Sequence, residues 1–349
     1  MTVKIVHLFP KDALGGAETA ARSMLDLNRP GFLFRIRYIA EPLNILPSGF
    51  IGIRLFGSTN NPLVYLIAVY LCVVDRPDVM IASLWRSIPV ALLVKMLRPK
   101  MKLVIFLHSA SPAHILDKYI TLLALKVCDA VWADSASTLE SRVGPRAGRK
   151  GKVISFVSGR KEIRAGRRYQ GPRFVFWGRL TRDKGLDVAL RFIALVRAEY
   201  QDVKFDIWGP DRGEGANIRA MIEDLGLQCT VQLKGELSRS EIRSVASSYS
   251  FYLQLSRREG MAMSVVEAMQ EGLIPIVAAV GEIGSYCQTG INSLVVDPND
   301  LQRSVEDIGT LIREPGRFEA LSASAISTWA DAKEYGEDVL ENAARLVRQ

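Results

Sequence analysis

FYLQLSRREGMAMSVVEAMQEGLIPIVA, residues 251–278, is the stretch on which the fold turns. A mainly apolar run at 251–255 ends in a polar loop, and a helical pattern follows over 263–271. Gly272 then breaks the helix, and a second apolar run opens at 274–278. Strands without polar alternation fit a sheet covered on both faces. A helix between two of them makes a parallel pair joined by a crossover.

The same alternation extends outward in both directions. Toward the N-terminus, strand-like runs fall at 3–9, 33–39, 78–83, 103–107, 130–133 and 153–157, separated by helical stretches at 18–27, 62–74, 88–97, 113–127 and 135–143. After a polar, Gly-containing stretch at 158–172, strands at 174–177, 204–208, 231–234, 251–255, 274–278 and 293–296 alternate with helices at 186–198, 218–225, 239–247 and 263–271. This predicts an α/β chain of two facing, doubly wound, Rossmann-like parallel-sheet domains with an inter-domain cleft. Ligands should collect at the carboxyl ends of the strands. The expected division is 1–160, completed by a C-terminal helix at 334–349, and 161–333.

Composition agrees. A chain of 349 residues, 48% hydrophobic, exceeds the roughly 250–300 residues one core usually serves and is too apolar to be disordered. No apolar run approaches the ~18 residues of a membrane span. Cys72, Cys128, Cys229 and Cys287 are scattered without a CxxC pair, which fits reduced thiols in a cytoplasmic protein. With only His7, His108 and His114, a multi-histidine metal centre is not expected. The net charge of +8 is concentrated: residues 142–173 hold eleven basic residues against Glu162. Such a sector suits an anionic surface or substrate rather than nucleic acid, and a solvated linker is the alternative reading.

Three segments carry candidate chemistry. Gly15, Gly16, Ala17 and Glu18 follow the first strand and open a helix, so backbone and free N–H groups can approach an oxygen-rich ligand. The GxGxxG dinucleotide fingerprint is absent there. Gly178-Arg179-Leu180-Thr181-Arg182-Asp183-Lys184-Gly185 ends a strand with two cations that can clamp a diphosphate, Arg179 as a planar fork and Lys184 as a point charge. In 258–269, Glu259 falls in a loop and Glu267 about one turn inside the following helix. Carboxylates suit the vicinal hydroxyls of a sugar and a ribose, and the amides of Met263, Ser264 and Val265 suit phosphate.

The order Gly-Gly-Ala-Glu, Gly-Arg-Leu with Lys-Gly behind it, the glutamate pair, Gly-Leu-Ile-Pro-Ile-Val at 272–277 and Gly-Ile-Asn-Ser-Leu-Val-Val-Asp-Pro at 290–298 resembles the family 4 retaining glycosyltransferases of the GT-B fold. The resemblance implies that Arg179 and Lys184 bind a donor diphosphate, with Gly178 at their head. Glu259 would hold the transferred sugar beside Gly260, Met261 and Ala262, and Glu267 would hold the donor ribose. Gly15 and Gly16 would face the diphosphate, and His108 would touch the sugar. Two departures stand out: Met261-Ala262 where the family often has Phe-Gly, and Ser158-Gly159 where it usually has Asn-Gly.

The implied activity is retaining, metal-independent transfer of a sugar from a UDP- or GDP-linked donor to a glycan or lipid-linked saccharide, in cell-envelope polysaccharide or lipopolysaccharide synthesis, without a cofactor. With no Asp-x-Asp triplet in the sequence, the leaving diphosphate would be neutralised by Arg179, Lys184 and helix dipoles. A nucleotide-sugar epimerase of the same fold and a non-catalytic nucleotide-sugar-binding subunit are the alternatives. The helices at 62–74, 88–97 and 113–127, with Lys95, Arg98, Lys100 and Lys102 nearby, suit an anionic membrane surface on the cytoplasmic face of the inner membrane. Their apolar residues are expected to lie mostly in the domain's own core.

Overall fold

The computed structural model describes residues 2–12, 15–25, 27, 29–40, 58–157, 159, 165–238 and 240–349, the side chains of 146, 147 and 149 excepted. Contacts divide the chain into two units, Met1–Gly159 with Lys333–Gln349, and Arg160–Ala332. Each is built on one six-stranded parallel sheet.

In the first unit, β1 (Val3–Lys11), β2 (Phe32–Ala40), β3 (Val79–Ser83), β4 (Lys102–Leu107), β5 (Ala130–Ala133) and β6 (Gly151–Val153) lie in the order β2-β1-β3-β4-β5-β6. Helices α1 (Gly16–Arg22), α2 (Pro62–Asp75), α3 (Ile88–Leu97), α4 (Ile115–Val127) and α5 (Ala136–Arg142) connect them. In the second unit, β7 (Arg173–Trp177), β8 (Lys204–Trp208), β9 (Val231–Gly235), β10 (Phe251–Gln254), β11 (Ile274–Val277) and β12 (Leu294–Val295) lie in the order β12-β11-β10-β7-β8-β9. Its helices are α6 (Leu186–Glu199), α7 (Gly215–Asp224), α8 (Ile242–Ala246), α9 (Met263–Gln270), α10 (Ile283–Tyr286), α11 (Leu301–Arg313) and α12 (Pro315–Ser327). The strand order reverses between β1 and β3, and again between β7 and β10. At such a point the loops leave toward opposite faces and open a crevice at the carboxyl ends.

Helix α13 (Tyr335–Arg348) belongs to the first unit. This explains why β6 is shorter than the strand expected at 153–157. The Ser155 amide donates to Asp338 Oδ2 at 3.0 Å, and Val157 pairs with Glu334, so these backbone groups serve the C-terminal helix. Helices α11 and α12 lie beyond the elements predicted by the alternation. Ser158 and residues 160–164, which open the expected boundary stretch, lie outside the described residues, as do Asp26 and Arg239 within the expected helices 18–27 and 239–247.

The first core packs Leu8, Met80, Ala82, Leu103 and Ile105 of the sheet against Val64, Ala68, Val94 and Ala124 of the helices. In the second, Phe174 and Phe251 stack across β7 and β10 at 4.9 Å, and Phe318 meets Phe251 edge-on at 5.7 Å.

Two expectations about the first unit are corrected. Helices α2, α3 and α4, packed side by side, bury only part of their apolar residues. Leu66, Tyr70, Met96, Leu97, Ile115 and Tyr119 are each more than 60% exposed. The sheet takes only one stripe of each helix, and their other faces are also apolar. The cations, conversely, are partly consumed. Lys95 Nζ binds Asp129 at 2.9 Å and the Met101 carbonyl at 2.5 Å. Arg142 binds the buried Asp117 at 2.8 Å. Burial alone would raise the Asp117 pKa, but the bonds from Arg142, the Ala113 amide and Thr121 outweigh it and hold the carboxyl below its ordinary range. In the second unit, Arg167 donates to the Ala246 carbonyl at the end of α8, at 2.8 Å.

Gly185 positions the crevice of the second sheet. It caps α6 in the left-handed region at φ 63°, and a Cβ there would overlap the Leu255 carbonyl oxygen. Gly290 is also left-handed, at φ 77°, but has open space around it. Gly290→Ala should therefore cost only about 1–2 kcal/mol of backbone strain. Gly185→Ala should cost clearly more, because α6 must also move off β10. Equal urea midpoints for the two variants would refute the close approach.

Candidate active site

In the second unit the predicted segments meet at the reversal between β7 and β10. Gly178 follows β7 directly; its amide donates to the Trp208 carbonyl at 3.0 Å, and Gly209 approaches it too closely for a Cβ. Arg179 is exposed and its side chain has no bonded partner among the described residues. Lys184 ends a short 3-10 turn, Arg182–Lys184, just before Gly185 reverses the backbone into α6. The turn is fastened to the loop after β10. The Arg257 amide donates to the Asp183 carbonyl at 2.8 Å, and its guanidinium binds Asp187 through both nitrogens at 2.7 and 2.6 Å.

Lys184 and Glu259, read from the sequence as separate ligand-binding groups, are bonded to each other: Nζ to Oε1 is 2.7 Å, with little exposure of either side chain. The same Oε1 accepts from Gln254 Nε2 at 2.9 Å and Ser256 Oγ at 2.7 Å. Three donors converge on one oxygen, which offsets part of the cost of placing a carboxylate where little water reaches it. Oε2 has no bonded partner among the described residues. Behind Gln254, its Oε1 lies 2.8 Å from both the Ser264 and the Tyr252 hydroxyls. Burial pushes the Tyr252 phenol well above its ordinary pKa, so it remains a neutral donor.

Gln254 and Ser256 were missed by motif reading. The signal was present, because Gln254 is the one polar side chain in the apolar run FYLQL, and a buried amide needs partners. The loop from Glu259 to Ala262 is pinned from below: the Gly260 carbonyl accepts from the Glu282 amide at 3.1 Å, and the Met261 carbonyl from the Tyr286 hydroxyl at 2.8 Å. Gly281 passes so close that a Cβ would overlap the Glu259 carbonyl.

Helix α9 then begins. Met263 and Ser264 lead it with partly accessible side chains. The Val265 amide is already bonded to the Ala262 carbonyl at 2.9 Å and its side chain is buried, so Val265 is corrected from a ligand contact to a core residue. Glu267, half-buried one turn into the helix, is engaged within the protein.

Ala262 caps α9 in the left-handed region at φ 54°, ψ 63°. That conformation costs about 1–2 kcal/mol for a residue with a Cβ. Replacing it by glycine relieves this strain but adds unfolded-chain entropy of about 0.4–1 kcal/mol and loses a buried methyl worth about 0.8 kcal/mol. Ala262→Gly should accordingly lie within about 0.8 kcal/mol of the parent. Ala268→Gly, inside α9 and fully buried, should cost more than about 1 kcal/mol. A large loss at Ala262 in chemical denaturation would contradict the strain.

In the first unit, Gly15 caps the seven-residue α1, and Gly16 is its first residue. His108 follows β4, with Nε2 2.8 Å from Ser83 Oγ at the end of β3. His7, wholly buried on β1, places its own Nε2 2.7 Å from the same oxygen. Burial lowers the His108 pKa to about 3; burial, then proximity to His108, lowers that of His7 well below 6.5. Between about pH 6.5 and 3 the unfolded chain therefore binds protons that the folded chain refuses. The stability this neutrality provides is complete above pH 6.5 and is lost as pH falls, by up to about 1.4 kcal/mol per pH unit for each ring. Protection factors of β1 and β3 amides should fall as pH drops through this window, with a smaller slope in His108→Asn. An identical slope would exclude His108 as a source.

Residues 160–328 match the family model described as Glycosyl transferases group 1. Among curated proteins, GDP-mannose:cellobiosyl-diphosphopolyprenol alpha-mannosyltransferase of Komagataeibacter xylinus is 27% identical over 171 residues, 47% of this chain and 44% of that protein. D-inositol 3-phosphate glycosyltransferase 1 of Catenulispora acidiphila is 28% identical over 161 residues, 44% of this chain and 38% of that protein. The chain thus spans less than half the length of these relatives. Among solved structures, Anabaena HepE in complex with UDP and glucose superimposes with a TM-score of 0.77 at 18% identity, covering 98% of this chain and 100% of that one. The lipopolysaccharide outer core galactosyltransferase WaaB does so with a TM-score of 0.68 at 17% identity, covering 98% and 99%. The fold is that of two Rossmann-like domains found in GT-B glycosyltransferases, and the second unit matches the group 1 glycosyl transferases over nearly its whole length.

Proposed function

We propose that the chain is a retaining glycosyltransferase of family 4 type. It would move a sugar from a UDP- or GDP-linked donor to a glycan or lipid-linked saccharide in cell-envelope polysaccharide or lipopolysaccharide synthesis. The observation that carries this reading is the Lys184–Glu259 pair at the reversal of the second sheet, with the unpaired Arg179 beside it in sequence. An arriving diphosphate offers Lys184 a stronger anionic partner. Glu259, still held by Gln254 and Ser256, is then left to accept from sugar hydroxyls through both oxygens. Arg179 and Lys184 neutralise the departing diphosphate without metal, and activity should persist in EDTA. The named donors and acceptors of the relatives, GDP-mannose and a diphosphopolyprenol-linked saccharide among them, support this class.

Binding and turnover can be tested with UDP, GDP, UDP-glucose and GDP-mannose as probes. At least one should raise the melting temperature, since a ligand at 100 times its Kd adds about 2.7 kcal/mol. Release of nucleoside diphosphate from the stabilising sugar donor should fall by about 2–4 kcal/mol of transition-state stabilisation in Arg179→Ala and in Lys184→Ala. Arg179→Ala should melt within about 0.5 kcal/mol of the parent, because its side chain is exposed and unpaired. Unchanged turnover in both variants would overturn the donor-site assignment, and donor consumption with epimer formation would favour the isomerase.

The outer face of α2, α3 and α4 supports a peripheral place on an anionic membrane for a lipid-linked acceptor. No helix among the described residues is long and apolar enough to cross a bilayer. That face instead offers exposed Leu66, Tyr70, Met96, Leu97, Tyr119 and Leu123, with Lys100, Lys118 and Lys126 also exposed. Anionic vesicles should bind the chain at low salt, and high salt should reduce binding without abolishing it. Serine at Lys100, Lys118 and Lys126 should remove about 1 kcal/mol each. Serine at Met96, Leu97 and Tyr119 should abolish the salt-resistant fraction. Vesicles ignored at every salt concentration would point to a water-borne acceptor.

A further inference from the structure

Four polar groups of the first unit form a line: the Tyr335 hydroxyl of α13, His7 and Ser83, all three fully buried, and the partly buried His108. Tyr335 Oη lies 3.5 Å from His7 Nδ1. His7 Nε2 lies 2.7 Å from Ser83 Oγ, and Ser83 Oγ lies 2.8 Å from His108 Nε2. At the far end, His108 Nδ1 is shut off from water and has no partner among the described residues.

Proton counting gives the line a direction. Ser83 has one hydroxyl hydrogen, so it donates to one imidazole and accepts from the other, and the two rings must be complementary tautomers. Tyr335 is fully buried, burial keeps its phenol protonated, and His7 Nδ1 is the one acceptor within its reach among the described residues. If Tyr335 donates to His7 Nδ1, then His7 donates from Nε2 to Ser83, and Ser83 donates to His108 Nε2. Every group is then satisfied except His108 Nδ1, which carries a proton. The reverse direction leaves two buried groups unsatisfied, the Tyr335 hydroxyl hydrogen and the His108 Nδ1 lone pair, and each such group is costly.

We propose that Tyr335, His7 and Ser83 are positioning residues that hold His108 as its Nδ1–H tautomer, so that His108 meets the substrate as a hydrogen-bond donor to a sugar or phosphate oxygen and not as a base. The substrate half rests on the proposed glycosyltransferase reading and on the sugar contact that the family resemblance implies for His108; the tautomer half does not. The ring stays neutral through burial, and Phe106 and Phe156, with ring centroids 4.5 and 5.7 Å away, fix its plane.

Long-range proton–nitrogen NMR of the full chain, labelled at histidine and free of ligand, reads the tautomers directly. His108 should carry its proton on Nδ1 and His7 on Nε2. In Ser83→Ala, His108 should become a mixture of tautomers, and in Tyr335→Phe, His7 should lose its preference. A His108 found protonated on Nε2 in the parent overturns the relay.

Release of nucleoside diphosphate from UDP-glucose and from GDP-mannose tests the substrate half. His108→Asn, whose amide can place an N–H near the position of Nδ1, should retain about tenfold more activity than His108→Ala. Ser83→Ala should cost about tenfold in the parent but nothing further in His108→Asn, whereas a purely structural serine would cost the same in both. If the tautomers are as stated but His108→Ala turns over like the parent, the relay stands and the substrate contact falls.

Discussion

A parallel sheet cannot return its strands through hairpins, so every connection is a crossover and every strand ends on the same edge. Where the strand order reverses, two neighbouring strands send their loops to opposite faces, and the gap cannot be filled by backbone. The second sheet meets this constraint between β7 and β10. Glycines allow the loops there to pass at backbone distance: Gly185 against Leu255, Gly209 against Gly178 and Gly281 against Glu259. The candidate site is what remains open, lined by residues that have no strand or helix to complete.

The two units handle their polar groups there in opposite ways. Glu259 is held by three donors on one oxygen, which fixes the position of its carboxylate in the crevice. His7 and His108 are kept neutral by removal from water, with one serine between them to define their hydrogens. A group meant to shuttle protons near neutral pH would be more exposed than either histidine.

Outside the crevice, two cations of the basic sector between 142 and 173 are already engaged. Arg142 belongs to a buried ion pair and Arg167 donates to a backbone carbonyl, so for these two the charge along the chain overstated the free positive surface. The apolar surface was understated for the complementary reason. A helix beside a sheet can bury only the stripe that faces it, and α2, α3 and α4 are apolar on the side turned away as well.

The alternation of apolar runs with helical patterns was enough to specify two parallel-sheet units. This follows because strands covered on both faces have no polar phase and helices have a 3.6-residue one. The glycine, cation and carboxylate motifs were also legible, each being a short run in which local spacing carries the chemistry. Tertiary structure alone decided that Lys184 bonds to Glu259, 75 residues away, that Gln254 and Ser256 hold the same oxygen, and that β6 yields its continuation to α13. It also decided that His7 on β1, Ser83 at the end of β3 and His108 just after β4 fall into line, because strand neighbours in a parallel sheet are set by crossover order and not by sequence order. Side chains that meet only through that order leave no pattern in the chain itself.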